Sequence, residues 1–172
     1  RGELRAVGRL AGRSPADLTR EGRILPMVPA RGNHEASGSL FGEVFAFPGG
    51  DRDSYYVSAL SPDVAFIVLN SNASLAGDQK DFLEDTLRQR VLDTRWILAS
   101  YHGPAYPAVK SPGEALEHWV PLFERFDVDL VCESDGHALK RTRPMRGGEG
   151  RRRMGSSMWG KGGSELINAV LR

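Results

Sequence analysis

The sequence contains almost no cysteine, no excess of charge of one sign and no long apolar run. Cys132 is the one cysteine among 172 residues, so a disulfide within the chain is excluded. Lys and Arg together number 23 and Asp and Glu 22, and a net charge of +1 gives no whole-chain attraction to nucleic acid or membrane. No apolar run approaches the ~18–20 residues that a membrane-spanning helix needs. These absences leave an ordinary globular chain, with 40% hydrophobic and 26% charged residues.

The beginning of the sequence is basic and irregular. The first residue is Arg1 rather than methionine, and six arginines fall within the first 23 residues. We expect residues 1–21 to form a partial or irregular N-terminal segment, and the organised domain to occupy residues 22–172. Because no start is visible, the sequence assigns no cellular compartment, and nothing in it fixes an oligomeric state.

Four short apolar runs each end in a turn that is rich in polar residues. The runs are residues 24–30, 64–69, 96–101 and 128–132. Continuous apolar runs of this length are typical of strands buried on both faces of a sheet. Pro26 and Pro29 weaken this interpretation for the first run or place it at a sheet edge.

Helical patterns separate the last three runs. Residues 78–91 begin with an N-cap candidate and carry leucine or valine at every fourth position, and residues 111–114 have the form of a capping box. Pro121 is expected to kink or shorten the second helix. Strand–helix–strand alternation predicts an α/β (α+β layered) fold. Residues 40–60 are expected to form a hairpin or loop, and residues 164–171 a closing helix.

Chemically versatile side chains follow three of the predicted strands. Asn33 and His34 follow the first, His102 follows the third, and Asp135 with His137 follow the fourth. In open α/β sheets, ligands bind outside the carboxyl ends of the strands. Such a set of nitrogen and oxygen donors suits divalent or trivalent metal ions. The pattern therefore predicts a metal site at this edge of the sheet.

At these positions the sequence resembles a known family. The Gly-Asn-His-Glu segment resembles the signature of calcineurin-like metallophosphoesterases, and the other segments resemble more specifically the purple acid phosphatase branch. The resemblance covers about residues 22–162, and its motifs stand in the order that the family has. The matching segments are residues 22–26, 32–35, 102–106, 133–142 and 154–160.

The resemblance implies a β-sandwich flanked by helices, incomplete at its N-terminus, with a two-metal centre. In that pattern Asn33 and His102 would bind the second metal, and His137 would bind the first. Asp135 stands where the family has a histidine, but a carboxylate also binds metal ions. The metals implied are iron in the first site with iron, zinc or manganese in the second.

Two further residues receive roles from the same resemblance. His34 would face the substrate phosphate and act as a proton donor in catalysis. Arg141 would bind phosphate, with a structural ion pair as an equally weighted alternative. The implied function is metal-dependent hydrolysis of a phosphate ester, of the acid phosphatase or phosphodiesterase type. An extracellular or periplasmic location is compatible with the resemblance.

The family's first two metal motifs have no match in residues 1–31. We therefore expect residues 22–172 to be the C-terminal portion of a catalytic domain. Two alternatives stay open: a degenerate, non-catalytic domain of the same fold, and an arginine-mediated binder of nucleic acid through residues 1–23 and 141–153. The balanced net charge disfavours the latter, so no nucleic acid or membrane partner is expected, and the partner expected is a phosphate-ester substrate.

Overall fold

The computed structural model describes residues 27–35, 39–45, 54–150 and 165–168. The helices in these ranges are α1 (Ser39–Val44), α2 (Asp78–Asp93), α3 (Ala115–His118) and α4 (Val120–Arg125). The strands are β1 (Tyr56–Ser61), β2 (Val64–Val68), β3 (Trp96–Tyr101), β4 (Leu130–Glu133), β5 (Lys140–Arg141), β6 (Met145–Arg146), β7 (Glu149–Gly150) and β8 (Glu165–Asn168). A short 3-10 turn spans Asn33–Glu35.

Six of the strands form one mixed sheet in the order β1-β2-β3-β4-β8-β5. The four central strands run parallel, and β1 and β5 pair antiparallel at the two edges. Parallel neighbours need crossover connections, and α2 joins β2 to β3 while α3 and α4 join β3 to β4. The carboxyl ends of β2, β3 and β4 therefore meet at one edge of the sheet. Strands β6 and β7 form a separate two-stranded ribbon.

The core lies between the central strands and the crossover helices. Leu83 and Leu87 of α2 are fully buried against Ile67, Tyr101 and Trp119. Burying a leucine side chain contributes about 1.5–3 kcal/mol, so the four-residue spacing in α2 explains why this helix forms where the sequence predicts it.

Most of the predicted elements are confirmed. The runs at 64–69 and 96–101 contain β2 and β3, the run at 128–132 overlaps β4, and α2 covers the predicted helix at 78–91. Buried and half-buried residues alternate along β3, so only one face of this strand is fully buried. The continuous apolar run had predicted burial on both faces. Residues 27–30 of the first run form no strand, because a proline cannot donate a hydrogen bond to a neighbouring strand. Residues 24–26 of this run lie outside the described ranges.

Three expectations differ from the structure. The helix after the predicted capping box begins at Ala115, and its N-cap, Glu114, makes no side-chain capping bond. Residues 40–60 contain part of α1 and most of β1 instead of only a hairpin or loop. The predicted closing helix at 164–171 is wrong, because residues 165–168 form β8 and pair with β4. Pro121 does interrupt the second helix, since it lies in the first turn of α4 and separates this helix from α3.

The α/β fold class is confirmed, with helices flanking a mixed sheet. The predicted division at residue 22 falls outside the described residues, and so do the basic cluster at 151–153 and the segment 154–160. None of the helices in the described part of the chain is long and apolar enough to cross a membrane.

Candidate metal centre

Three loops bring Asn33, His102 and Asp135 together at the carboxyl edge of the sheet. His102 directly follows β3, Asp135 lies two residues beyond the end of β4, and Asn33 begins the 3-10 turn. His102 Nε2 lies 3.1 Å from Asn33 Oδ1 and 3.4 Å from Asp135 Oδ1. We refer to these three residues as the Asn33–His102–Asp135 cluster.

The other ring nitrogen of His102 fixes the orientation of the imidazole. Nδ1 lies 3.1 Å from the Ser134 hydroxyl, which can accept a hydrogen bond from Nδ1–H and leave the Nε2 lone pair facing the cluster. Burial lowers the pKa of His102, although the Asp135 carboxylate acts in the opposite direction. The neutral imidazole, which is the form that binds metal ions, is thereby favoured.

The turn that carries Asn33 is shaped by a close approach at Gly32. The Gly32 amide donates to Glu35 Oε2 at 2.8 Å, and Arg31 donates to the Glu35 carbonyl oxygen. A Cβ atom at position 32 would lie 2.7 Å from Glu35 Oε2 and 3.3 Å from the His102 ring. A side chain at this position would therefore displace the Glu35 carboxylate and press on the His102 ring.

The loop after β2 ties this turn to the end of β3. Ser71 Oγ accepts the Gly103 amide at 2.7 Å, and the Asn72 side chain donates to the Arg31 carbonyl at 3.1 Å. Buried Gln79 fixes the start of the loop by accepting the Asn70 amide at 2.7 Å. The loop thus connects the two segments that carry Asn33 and His102.

Asp135 stands in a strained turn beside a lysine. Its φ is 60°, and that of His137 is 47°, in the left-handed region that non-glycine residues seldom occupy and that is concentrated at functional sites. The Lys110 ammonium donates to Asp135 Oδ1 at 2.8 Å. This hydrogen bond is the main reason why the pKa of Asp135 lies below its ordinary value. Lys110 was not predicted from the sequence, because its loop matches no motif.

A buried carboxylate lies beneath the cluster and links its two loops. Glu133, the last residue of β4, accepts the Tyr101 hydroxyl and the Ala105 amide, both at 2.7 Å, and the Lys140 ammonium at 2.8 Å. Lys140 also donates to the Tyr106 carbonyl oxygen. Burial, with the Glu133 charge second, raises the pKa of Tyr101 well above its ordinary value, which keeps the hydroxyl protonated as a donor. Glu133 therefore connects the segment after His102 with the segment after Asp135.

The cluster has the spacing of a partial ligand set for one metal ion. Ligands about 2.0–2.2 Å from a common metal ion lie about 3–3.5 Å apart, which matches the distances from His102 Nε2 to the two oxygens. One imidazole, one amide and one carboxylate suit a borderline or hard divalent ion. Across residues 27–35, 39–45, 54–150 and 165–168, however, no group of three or more His, Cys, Asp or Glu side chains could hold a metal.

The other predicted site residues lie outside this spacing. His137 is exposed, and its charge contributes to the low pKa of Asp135 after the larger effect of Lys110, yet no hydrogen bond joins it to the cluster within the described part of the chain. His34 is exposed next to Asn33, and Arg141 is exposed on the edge strand β5. The roles of these three residues stay predictions.

No protein-family model matches the chain. Two uncharacterized proteins of Mycobacterium tuberculosis, from strains CDC 1551 / Oshkosh and ATCC 25618 / H37Rv, are each 26% identical to it over 77% of this chain. The chain spans 31% of the length of these curated relatives.

A likeness at the level of structure identifies the fold. The chain is similar to a purple acid phosphatase from yellow lupin (Lupinus luteus) seeds, with a TM-score of 0.60 and 17% identity over 73% of this chain and 24% of that chain. At this identity the likeness concerns the α/β fold alone.

Proposed function

We propose that the chain is part of a metal-dependent phosphoesterase that hydrolyses phosphate esters at the Asn33–His102–Asp135 cluster. The observation that carries the proposal is the approach of His102 Nε2 to two oxygen donors at metal-ligand spacing. The phosphoesterase-like fold supports it, because the cluster lies at the carboxyl edge of the sheet, where such folds bind ligands. Iron, zinc or manganese fits the donor set, and a second metal ion would take ligands from His137 and from residues beyond the described ones.

Each residue has a part in the proposed reaction. Asn33, His102 and Asp135 would hold a metal ion, which would polarise the phosphate oxygens as a Lewis acid. Water would attack phosphorus and release a proton to solvent, the bond from phosphorus to the alcohol oxygen would break, and His34 would donate a proton to that oxygen. Arg141 would bind a phosphate oxygen.

A cavity lined in part by Gly103, the residue after His102, would take the alcohol part of the ester in this proposal. It has a volume of about 330 Å³ and lies between the loop after β2, Gly103 and the start of α3. Ser71 and Asn72 line it on one side and Glu114 on the other. The Glu114 carboxylate would repel a second phosphate group, so the proposal favours esters of uncharged alcohols over polyphosphates.

Hydrolysis of p-nitrophenyl phosphate and bis(p-nitrophenyl) phosphate by a full-length form that also carries the two upstream metal motifs tests the proposal, because residues 1–172 alone are expected to have poor activity. We expect activity after loading with iron, zinc or manganese, and loss of it with a chelator. His34→Ala should lower kcat about 10²–10⁴-fold on an alkyl phosphate ester, whose alcohol oxygen needs a proton to leave, and much less on the p-nitrophenyl esters, whose leaving group departs without one. His118→Ala, a histidine of α3 outside the cluster, is the matched control and should keep full activity. Metal binding by the full-length form without hydrolysis of either ester would contradict the proposal.

A second candidate is a domain that keeps the fold but lacks catalysis. The ion pair between Lys110 and Asp135 favours it, because a cation of the protein already faces the carboxylate. In that case the protein would neither bind metal at His102 nor hydrolyse either ester.

A further inference from the structure

Lys110 brings a positive charge to the oxygen that the metal would need. Its Nζ lies 2.8 Å from Asp135 Oδ1, and the same oxygen lies 3.4 Å from His102 Nε2. The ammonium thus contacts the side of the carboxylate that belongs to the cluster.

The two members of this pair differ in burial. The Asp135 side chain is 19% exposed and sits in a turn with a left-handed backbone, whereas the Lys110 side chain is 49% exposed. A half-exposed lysine can move into solvent at small cost, because exposed ion pairs contribute little and the long side chain regains rotamer freedom. Asp135 is therefore the fixed partner and Lys110 the movable one.

A divalent ion and the ammonium cannot both stay on this oxygen without strong repulsion. A metal bound about 2.1 Å from Oδ1 would lie within about 4–5 Å of Nζ, with little solvent between the two charges to screen them. Binding of one cation therefore weakens binding of the other.

We propose that Lys110 is a resident cation that competes with the metal ion for Asp135 and so sets the metal affinity of the cluster. This inference rests on the proposed function, since it concerns the same cluster, but it is about occupancy and not about hydrolysis. In the metal-free protein Lys110 neutralises Asp135, and metal binding displaces Lys110 into solvent.

Isothermal titration with zinc chloride at one fixed pH tests the competition. We expect Lys110→Met to bind zinc about three- to tenfold more tightly than the unmodified protein, because the substitution removes a competing ion pair and a repelling charge. Lys80→Met, which removes a lysine from α2, is the matched control and should leave the affinity unchanged. His102→Ala should abolish the tight binding and thereby assign it to the cluster.

A second measurement follows the lysine itself. In protein labelled with ¹³C at lysine Cε, the Lys110 signal is the one absent from Lys110→Met. We expect zinc to shift this signal and to leave that of Lys80 in place.

The outcomes separate this inference from the proposed function. Equal zinc affinity in the unmodified protein and Lys110→Met, with binding lost in His102→Ala, would overturn the competition and leave the metal site intact. Zinc that binds without moving the Lys110 signal would overturn it as well. No zinc binding to either protein would overturn the metal site and the competition together.

Discussion

Two lysine–carboxylate pairs lie near the end of β4, and they share the same distance but differ in the exposure of their side chains. Glu133 and Lys140 lie 2.8 Å apart with 0% and 11% of their side chains exposed. Asp135 and Lys110 are also 2.8 Å apart, but 19% and 49% of their side chains are exposed. Distance alone therefore does not distinguish a structural ion pair from one that can open.

The surroundings of each carboxylate make the difference. Glu133 also accepts the Tyr101 hydroxyl and the Ala105 amide, so its charge is compensated from several directions inside the protein. Asp135 faces His102 at 3.4 Å, and its only hydrogen-bond donor named above is the half-exposed Lys110. Glu133 and Asp135 are only two residues apart in the chain. Even so, the Glu133 carboxylate is buried and joins two loops, whereas the Asp135 carboxylate is partly exposed and contacts a lysine that is half-exposed.

The largest expected effect comes from removing the buried carboxylate. Glu133→Ala should lower the free energy of unfolding by about 3–5 kcal/mol, because it leaves the Lys140 charge and the Tyr101 hydroxyl without their partner. Urea unfolding followed by circular dichroism measures this loss. Glu84→Ala removes a partly exposed carboxylate that pairs with the exposed Arg88 at 2.6 Å and the exposed Arg125 at 3.1 Å, and it should cost about 1 kcal/mol or less.

Glu133→Gln keeps the argument testable if the alanine variant does not fold. The amide retains an acceptor for Tyr101 but loses the charge, so we expect a loss between those of the two alanine variants. A loss for Glu133→Ala no greater than that for Glu84→Ala would remove the distinction between the buried and the exposed carboxylates.

A direct comparison of the two pairs gives an intermediate effect. Double-mutant cycles with Glu133→Gln and Lys140→Met, and with Asp135→Asn and Lys110→Met, isolate the coupling within each pair. We expect about 1.5–3 kcal/mol for the buried pair and about 0.2–1 kcal/mol for the accessible pair. Salt at 1 M should reduce only the second coupling, since screening acts mainly on exposed charges. Equal couplings would mean that burial does not separate the pairs.

The elements that the sequence predicted are those with strong local patterns. Leu83 and Leu87 repeat at helical spacing and are fully buried, so local pattern and packing agree in α2. Residues 165–168 carry a pattern that suits a helix, but they form β8 because β4 offers a parallel partner at the centre of the sheet. Such pairing depends on residues about 35 positions away, which local periodicity does not contain.

The candidate site was predictable where its residues follow strands. His102 and Asp135 follow β3 and β4, and the topology of the sheet brings them together. Lys110 and Ser134 were missed because they act through contacts across loops, and neither belongs to a spacing that indicates a ligand. Glu133 lay inside a recognised segment, but its burial and its contact with Tyr101 follow only from the packing of β3 beside β4.

The smallest effect concerns the titration of Asp135 in chelator-treated protein. The hydrogen bond from Lys110 is the main cause that lowers the pKa of Asp135 below 3.8. A carboxyl group with a lowered pKa in the folded protein contributes stability above its ordinary pKa and loses it as the pH falls through the folded value. In Lys110→Met the pKa of Asp135 should therefore rise towards 3.8. The decrease in the free energy of unfolding at acid pH that comes from protonation of Asp135 should become smaller. Carboxyl ¹³C shifts of Asp135 measure the change, with Lys80→Met as the control. If the titration midpoint of Asp135 is the same in Lys110→Met as in the unmodified protein, other neighbours set the pKa of Asp135, and Lys110 does not act as its resident cation.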